Sequence, residues 1–337
     1  HIAQRWFNGS WLLPEENGYS RALPLRWLPA FTEKSQPQTT DPCKEWEAAV
    51  AFLVWLKQQL SALGRARQQI LLVADGHYDT LNLWKHLPDG VILLARSARN
   101  RVLWHLPGPG ARKNRRYGER APTPADYWRQ RTGWQRLVLA VRGRPRHLQV
   151  KVAGPFLRKG APHCPLFLIV VRGKDNKRTR RQPLPFLVNA VLNDAGQWAL
   201  PLPTADLLFW AWQRWEVEVA HREMKSNFGL GNKQCWQPTA AVLSVQWSAW
   251  VYAVLLLAGY RTWGLTGAPA VPTRWWRGSG RWSLNTLWRG YRAALWGNHQ
   301  FNPIDPGSLL TKGDLRWIQP ALRHAAFAAA RSSTSLA

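Results

Sequence analysis

The alternation of apolar and polar positions predicts a hairpin, a loop and a helix in the first part of the chain. Residues 1–13 alternate bulky and polar side chains around a Gly-Ser pair, which is typical of the end of a β-hairpin with a turn at that pair. The next segment, to about Pro42, is rich in proline and lacks periodicity, so we expect a loop. From Asp41, a good N-cap, to a stop at Gly64, helical spacing predicts a long helix.

Strands that alternate with helices follow, and this succession favours an α/β sheet. Residues 70–74 form an apolar run that predicts a buried strand, with Asp75 at its C-terminal end. Residues 80–87 have the pattern of a second helix, and residues 90–97 that of a second buried strand.

The pattern changes between residues 107 and 200, where short apolar runs are separated by turn residues. Strands are predicted at 136–141, 147–152, 166–171 and 186–191. Two loops in this region, 112–120 and 172–181, are rich in lysine and arginine. We interpret the whole region as a β-rich insertion that carries two basic loops.

Helices are predicted for most of the remaining chain. Residues 204–228 have helical spacing, with Thr204 as N-cap and Gly229 as stop. Residues 239–260 carry no formal charge and are long enough to cross a bilayer. Because this segment contains Gln246 and two serines and has no second span to partner it, a helix buried in an α/β core accounts for it better.

A mixed segment of tryptophans and arginines occupies residues 273–296. Stacking of these indoles on unpaired bases is one interpretation. The other is packing, because Ser283 can cap a helix whose core contacts would be Leu284, Leu287, Trp288 and Leu295. The second interpretation is favoured for most of the tryptophans.

Four segments summarise the predicted organisation. Residues 1–106 would form the first part of an α/β core, 107–200 the β-rich insertion, 201–265 the second part of the core, and 266–337 a basic, tryptophan-rich helical region with a tail.

Charge narrows the class of partner. Lys and Arg number 46 against 19 Asp plus Glu, a formal charge of +27. A globular chain with this excess is expected to meet a polyanion, because neutralising phosphates releases counterions. DNA, ribosomal RNA and a membrane surface are all negatively charged and could each be this partner. The three cysteines, Cys43, Cys164 and Cys235, form no CxxC pair, which argues against a zinc site or disulfide framework and fits a reducing cytoplasm.

Three glutamates within nine residues stand out in so basic a chain. Projected at about 100° per residue, one polar stripe of the predicted helix contains Arg214, Glu218, His221 and Lys225. Glu216 and Glu223 project to the far side. The stripe lies beside the apolar face of the helix, so Glu218 is the glutamate with access to a site.

Two interpretations of these acids remain open from the residues alone. Glu218 can belong to a solvated helix face, paired with Arg214 at i,i+4, and Asp75-Gly76 can be an ordinary turn. Alternatively, Asp75 at the end of a buried strand lies where α/β sheets present chemistry. Two carboxylates from distant parts of a basic chain then suggest a two-metal phosphodiester site.

The spacing R-x3-E-x6-K, here Arg214, Glu218 and Lys225, resembles the signature of DDE transposases of bacterial insertion sequences. Ala211 occupies the position where that signature has a tyrosine, which is a departure. Residues 71–79 resemble the strand that bears the second aspartate of the family, and residues 93–119 the strand and basic loop after it. The resemblance covers most of residues 1 to 260.

This resemblance implies a ribonuclease H-like mixed sheet flanked by helices, with a β-rich insertion between the second aspartate and the glutamate. Asp75 and Glu218 would be ligands of two Mg²⁺ ions, with Mn²⁺ as a substitute. Arg214 and Lys225 would contact DNA near the scissile phosphate, and His221 and Arg222 are weaker candidates for the same role. Partners would be the terminal inverted repeats of the element and target DNA, bound by a homodimer in the bacterial cytoplasm at the nucleoid.

The family also needs a third carboxylate, an aspartate on the first strand of its sheet. No acid precedes Glu15, and neither Asp41 nor Asp79 lies on an early central strand. We therefore expect this aspartate upstream of His1, so that the chain alone is catalytically incomplete.

The basic loops are expected to contact the DNA backbone without reading bases. The residues concerned are Arg112, Lys113, Arg115, Arg116, Lys177, Arg178, Arg180 and Arg181.

Three other functions are weighed against an active transposase. They are an inactive DNA-binding remnant of a decayed element, a ribonuclease H-like nuclease, and a membrane-associated basic protein that rests on residues 239–260.

Overall fold

The computed structural model describes residues 5–30, 43–110, 112, 114–172, 183–269 and 282–296. The helices are α1 (Glu45–Ala62), α2 (Leu81–Lys85), α3 (Pro124–Arg129), α4 (Thr204–Gln213), α5 (Trp215–Phe228), α6 (Pro238–Trp263) and α7 (Leu284–Trp296). The strands are β1 (Trp6–Leu12), β2 (Ala22–Pro29), β3 (Ile70–Ala74), β4 (Val91–Arg96), β5 (Trp104–His105), β6 (Gln135–Val141), β7 (Arg144–Arg158), β8 (Ala161–Arg172), β9 (Leu184–Asn189), β10 (Val191–Leu192) and β11 (Trp198–Ala199).

A mixed seven-stranded sheet is the centre of the described part of the chain. Its order is β3-β4-β9-β8-β7-β5, and β6 pairs with β7 beside β5. Only β3 and β4 run parallel, and the other pairings are antiparallel. Helices cover both faces of this sheet, so the predicted α/β class is confirmed.

Side-chain alternation in the central strands explains why their sequences read as continuous apolar runs. In β4, Leu93 and Ala95 pack into one core cluster with α1 and α2. Their neighbours Ile92 and Leu94 pack on the opposite face, against Leu207 and other residues of α4. A strand that is buried on both faces has apolar residues at consecutive positions.

The strands predicted for the insertion, β6 to β9, join the same sheet as β3 and β4, because β4 hydrogen-bonds to β9. A third core cluster lies apart from the sheet and unites β1, β2, α5, α6 and α7. Its buried residues include Met224, Tyr252, Leu256 and Leu287. The four predicted segments remain a prediction, since no boundary between them is defined by these contacts.

The predicted turn at Gly9-Ser10 is wrong. These residues lie inside β1, where the pairing register with β2 shifts by one residue, as at a β-bulge. The hairpin turns instead at Asn17-Gly18, where both residues have positive φ (52° and 76°). The segment expected to be a proline-rich loop contains β2, because Leu23 and Trp27 pack into the core.

The helix predicted at residues 204–228 is two helices, α4 and α5, which meet at Arg214. The backbone there stays helical (φ −49°, ψ −31°), but the Val217 amide donates to the Arg214 carbonyl, so the turn is tightened. Thr204 is the first residue of α4 and Pro203 precedes it as N-cap. The end at Gly229, with φ 63°, is confirmed.

Helix α6 has one buried and one exposed face. Ala249, Tyr252 and Leu256 are buried, whereas Trp247 and Trp250 are more than half exposed. The expected burial in a core thus applies to one face of α6, and the other face is exposed. By length and hydropathy α6 is the single helix of the described residues that could cross a membrane, a test that core helices of soluble proteins also pass.

Helix α7 begins as predicted, since the Ser283 hydroxyl accepts a hydrogen bond from the Thr286 amide. Trp282 and Leu287 are buried, and Trp288 packs on Phe228. Leu295 is 49% exposed, so its predicted core contact is wrong. The three cysteines are free.

Candidate functional site

A cleft of ≈1690 Å³ separates β1 from β3. It is lined by every residue of β1 and by residues 68–75, which include all of β3. Successive side chains of a strand point to opposite faces of its sheet. A cavity that touches consecutive residues of both strands therefore lies along their edges, in the plane between them.

Helices close this cleft on two sides. Phe7 of β1 packs in the core cluster of α1, together with Phe52. Its neighbour Trp6 packs against the cluster that contains α5. The two helices thus lie on opposite faces of β1, and both contribute side chains to the cleft lining. The cleft is a slot between two strand edges, with α1 on one side and α5 on the other.

The polar side of the slot is formed by α5. The lining residues here include Arg214, Glu218, His221, Arg222, Lys225 and Ser226. The stripe predicted from helical spacing is therefore confirmed as one surface. The Glu218 carboxylate is 43% exposed and accepts a hydrogen bond from Arg214 at 2.8 Å, so the i,i+4 pair expected for a solvated helix face is present as well.

The other two glutamates face away from the slot and are neutralised. Glu216 is buried and pairs with Arg142 of the β6–β7 turn, at 2.5 Å. Glu223 pairs with Arg21 at 3.3 Å and accepts the Tyr252 hydroxyl at 2.7 Å. These contacts hold α5 against its neighbours. Of the three, only Glu218 reaches the cleft.

Asp75 follows the last residue of β3 and lines the same slot. Its Oδ1 accepts a hydrogen bond from the His77 amide at 2.9 Å, which starts a single 3₁₀ turn at Gly76–Tyr78. The turn predicted from Asp-Gly and the location at the strand end are thus both present. The structure brings Asp75 and Glu218, 143 positions apart in the sequence, to one cleft.

His221 lies between Glu218 and Lys225 along α5 and lines the cleft. Its ring packs on Trp27 with centroids 5.7 Å apart. Burial, and then the positive charge of Lys225, lower the pKa of His221 below its ordinary value. The lowered pKa favours the neutral imidazole, which can accept or donate a hydrogen bond.

Two aromatic residues of the cleft were not predicted from the sequence. Trp27 reaches it from β2, and Tyr78 follows Asp75 by three residues. Burial, then the charges of Glu45 and Asp75, raise the pKa of Tyr78 well above its ordinary value. Its hydroxyl stays protonated and can donate a hydrogen bond. The proximity of Tyr78 to Asp75 in the sequence was a signal for it, whereas nothing local marked Trp27.

Asp79 has a structural role. Its carboxylate is fully buried and accepts hydrogen bonds from Trp84 Nε1 (2.9 Å), Ser97 Oγ (2.6 Å), Arg101 (2.9 Å) and Arg158 (2.9 Å). The network fixes the loop that follows β3. A carboxylate used in this way is not free to bind a ligand in the cleft.

No protein-family model matches the chain, and no curated protein matches it. The geometry of the cleft therefore carries the functional argument.

The donor set for a metal is incomplete within the described residues. They contain no group of three or more His, Cys, Asp or Glu side chains that could hold an ion. Two Mg²⁺ ions need several hard oxygen ligands each. Asp75 and Glu218 could supply part of such a set, so these residues alone do not fit a two-metal site.

The predicted loop contacts lie elsewhere. Arg112, Arg115 and Arg116 are exposed and do not line the cleft. The other residues named for these loops, Lys113, Lys177, Arg178, Arg180 and Arg181, lie outside the described residues.

Proposed function

We propose that this chain is the larger part of an insertion-sequence transposase with a ribonuclease H-like core, which cleaves and transfers DNA strands. The observation that carries the proposal is the shared cleft of Asp75 and Glu218, with Arg214 and Lys225 on the same surface. Carboxylates beside cations suit a phosphodiester, because the acids can bind Mg²⁺ and the cations can neutralise phosphate oxygens.

The shape of the cleft supports an interrupted sheet. Among the described residues, β1 pairs only with β2 and β3 only with β4, so both strands present an open edge to the slot. We infer that a further strand, not contained in the described residues, fills this slot.

That strand would also supply the third carboxylate. A residue on it near the ends of β3 and α5 would lie beside Asp75 and Glu218, and the three acids would then form a donor set for Mg²⁺. Bound Mg²⁺ would supply positive charge at the reacting phosphate. The residues of this chain contribute binding and orientation: Arg214 and Lys225 hold the phosphate backbone, and Tyr78 can donate a hydrogen bond.

A second candidate is a DNA-binding protein without catalysis. The observation in its favour is the ion pair between Arg214 and Glu218, since a glutamate already neutralised by arginine needs no metal. This candidate shares the basic surface and differs only in the role of the carboxylates.

The test begins with the source DNA upstream of the codon for His1. An in-frame extension that encodes an apolar strand with an aspartate would allow the extended protein to be purified. We expect Mg²⁺-dependent cleavage of DNA that carries the element ends. Asp75→Asn and Glu218→Gln should each reduce the rate by about 100-fold or more, since even the loss of residues that only orient metal ligands costs about 10- to 100-fold.

Asp89→Asn is the matched control, because Asp89 is an exposed acid next to the opposite end of the sheet. It should leave the cleavage rate unchanged. Binding of DNA with no cleavage in the extended protein, or a stop codon or frameshift directly upstream, would favour the non-catalytic candidate. Cleavage that survives both substitutions would refute the proposed site.

A further inference from the structure

The β6–β7 hairpin extends beyond the end of the sheet at which Asp75 lies, the C-terminal end of β3. The register across the sheet runs Ala74–Ala95–Leu187–Leu168–Ala153. Asp75 is thus level with the residue before Ala153 on β7. The part of β7 that pairs with β6 runs from Val150 back to Arg144 and lies wholly beyond this level.

This hairpin is basic, and no acid is nearby in the sequence. Residues 127–174 contain no Asp or Glu. The exposed arginines of the hairpin and of the segment that leads into it are Arg131, Arg136, Arg142, Arg144 and Arg146. Of these, Arg142 pairs with Glu216. The other four make no ion pair with any described residue.

Some arginines elsewhere in the described chain have a different environment. Arg21, Arg101 and Arg158 are largely buried, and each pairs with a carboxylate. Apart from Arg142, the exposed hairpin arginines form no ion pair with a described residue. Arg144 and Arg146 lie on one face of the hairpin, and Arg136, which pairs with Gln149, lies on the other, so both faces carry positive charge. Exposed charges of one sign attract a polyanion.

We infer that the β6–β7 hairpin is a second contact surface for the DNA duplex, and that it binds the phosphate backbone away from the reacting phosphate. The inference rests on the proposed function, which places DNA at Asp75 and Glu218. Eight residues of β7 separate the level of Asp75 from Arg144, which is about 26 Å along a strand. At about 3.4 Å per base pair, the hairpin would contact the duplex about eight base pairs from the cleft.

The contact is expected to be strongly salt-dependent and independent of base sequence, because phosphate contacts position a protein without reading bases. Each phosphate neutralised changes the slope of log Kobs against log salt by about 0.9. Three arginines that contact phosphates should therefore account for a slope of about 2 to 3.

The experiment measures binding of the chain to a fluorescent duplex of about 30 base pairs, chosen to exceed the span from cleft to hairpin, over a series of salt concentrations. The test variant is Arg136→Gln with Arg144→Gln and Arg146→Gln. We expect its salt slope to fall by about 2 to 3. A second variant with lysine at the same three positions keeps the charge and should retain most of the slope.

The matched control removes the same charge at the other end of the sheet: Arg65→Gln with Arg67→Gln and Lys85→Gln. Arg65 and Arg67 are exposed and precede the N-terminal end of β3, whereas Asp75 follows its C-terminal end. This variant should keep the slope of the parent. Thermal unfolding of all variants checks that each is folded.

An equal loss of slope in the test and control variants would overturn the inference, because only net charge would then matter. An unchanged slope in the test variant, with more aggregation, would overturn it too, since arginines on an edge strand also prevent edge-to-edge pairing. If the parent chain binds no duplex, the proposed function fails together with the inference. If the parent binds the duplex and the test variant has the same salt slope, the inference is refuted and the proposed function is not.

Discussion

At the scale of single residues, three glutamates of one helix have three different environments. Glu216 is buried and forms an ion pair with Arg142. Glu223 forms an ion pair with Arg21 and accepts a hydrogen bond from the Tyr252 hydroxyl. Glu218 lines the cleft. Buried carboxylates need partners, because an unpaired charge in the interior is costly. Glu216 and Glu223 hold α5 against its neighbours, whereas Glu218, paired with Arg214 on the same helix, lines the cleft.

His221 predicts a dependence of stability on pH. Its pKa is lowered in the folded chain by burial and by Lys225, so the unfolded chain binds the proton more tightly. The stability contributed by the neutral imidazole is complete above pH 6.5, the ordinary value. It is lost as the pH falls from there through the folded pKa.

His221→Gln should remove this part of the pH dependence. We expect the midpoint of thermal unfolding of the parent to fall more steeply than that of the variant between pH 7 and pH 5. Parallel curves for the two proteins would contradict the assignment. His163→Gln serves as control at a histidine that is not in the cleft.

At the scale of elements, α5 is held by ion pairs on the side that faces away from the slot. Arg142, in the turn between β6 and β7, joins Glu216 to the hairpin. Arg21, just before β2, joins Glu223. These contacts set the rotation of α5 about its axis, and this rotation presents Glu218 to the cleft.

Arg142→Gln should destabilise the fold, because it leaves the buried Glu216 without its charged partner. We expect a loss of about 1.5 to 3 kcal/mol in the free energy of unfolding, the range for hydrogen bonds to charged groups. Chemical denaturation measures it. The adjacent variant Arg144→Gln, at an exposed arginine without an ion pair, should cost less than about 0.5 kcal/mol.

A double variant completes this test. Glu216→Gln in the Arg142→Gln background removes the buried charge, so part of the lost stability should return. Simple addition of the two single effects would show that the pair does not couple.

At the scale of the whole molecule, α6 leaves a continuous apolar stripe on the described surface. Leu243, Trp247, Trp250 and Val254 are 46–60% exposed, and the two indoles contact each other with centroids 5.3 Å apart. Large exposed apolar patches promote association. The opposite face of α6 packs in the core, so the helix itself does not depend on this stripe.

Trp247→Gln with Trp250→Gln should raise the soluble fraction of the purified chain and leave the midpoint of thermal unfolding within about 2 °C, because surface changes usually alter stability by less than about 0.5 kcal/mol. The control is Tyr252→Phe, which removes the buried hydroxyl bond to Glu223 and should lower the midpoint without improving solubility. A large fall in the midpoint for the tryptophan variant would mean that the stripe is covered in the folded protein.

Local pattern was sufficient for most elements. Apolar runs predicted β3, β4 and β9, and helical spacing predicted α1, α6 and the polar stripe of α5, because period and burial are linked within one element. Errors arose where an interaction from elsewhere decided the outcome. The Gly9-Ser10 pair lies inside β1 and not in a turn, since pairing with β2 continues on both sides of it.

The sequence by itself determined the α/β class, the basic character, and the choice of Glu218 and Asp75 as the acids to consider. Helical projection is a local property, and a strand end can be read from its flanking residues. That these acids share one slot was decided by the tertiary structure alone. The slot exists because β1 and β3 present open strand edges to each other. These strands lie about sixty residues apart in the chain. Their positions depend on strand pairing and on the packing of α1 and α5, which are tertiary interactions.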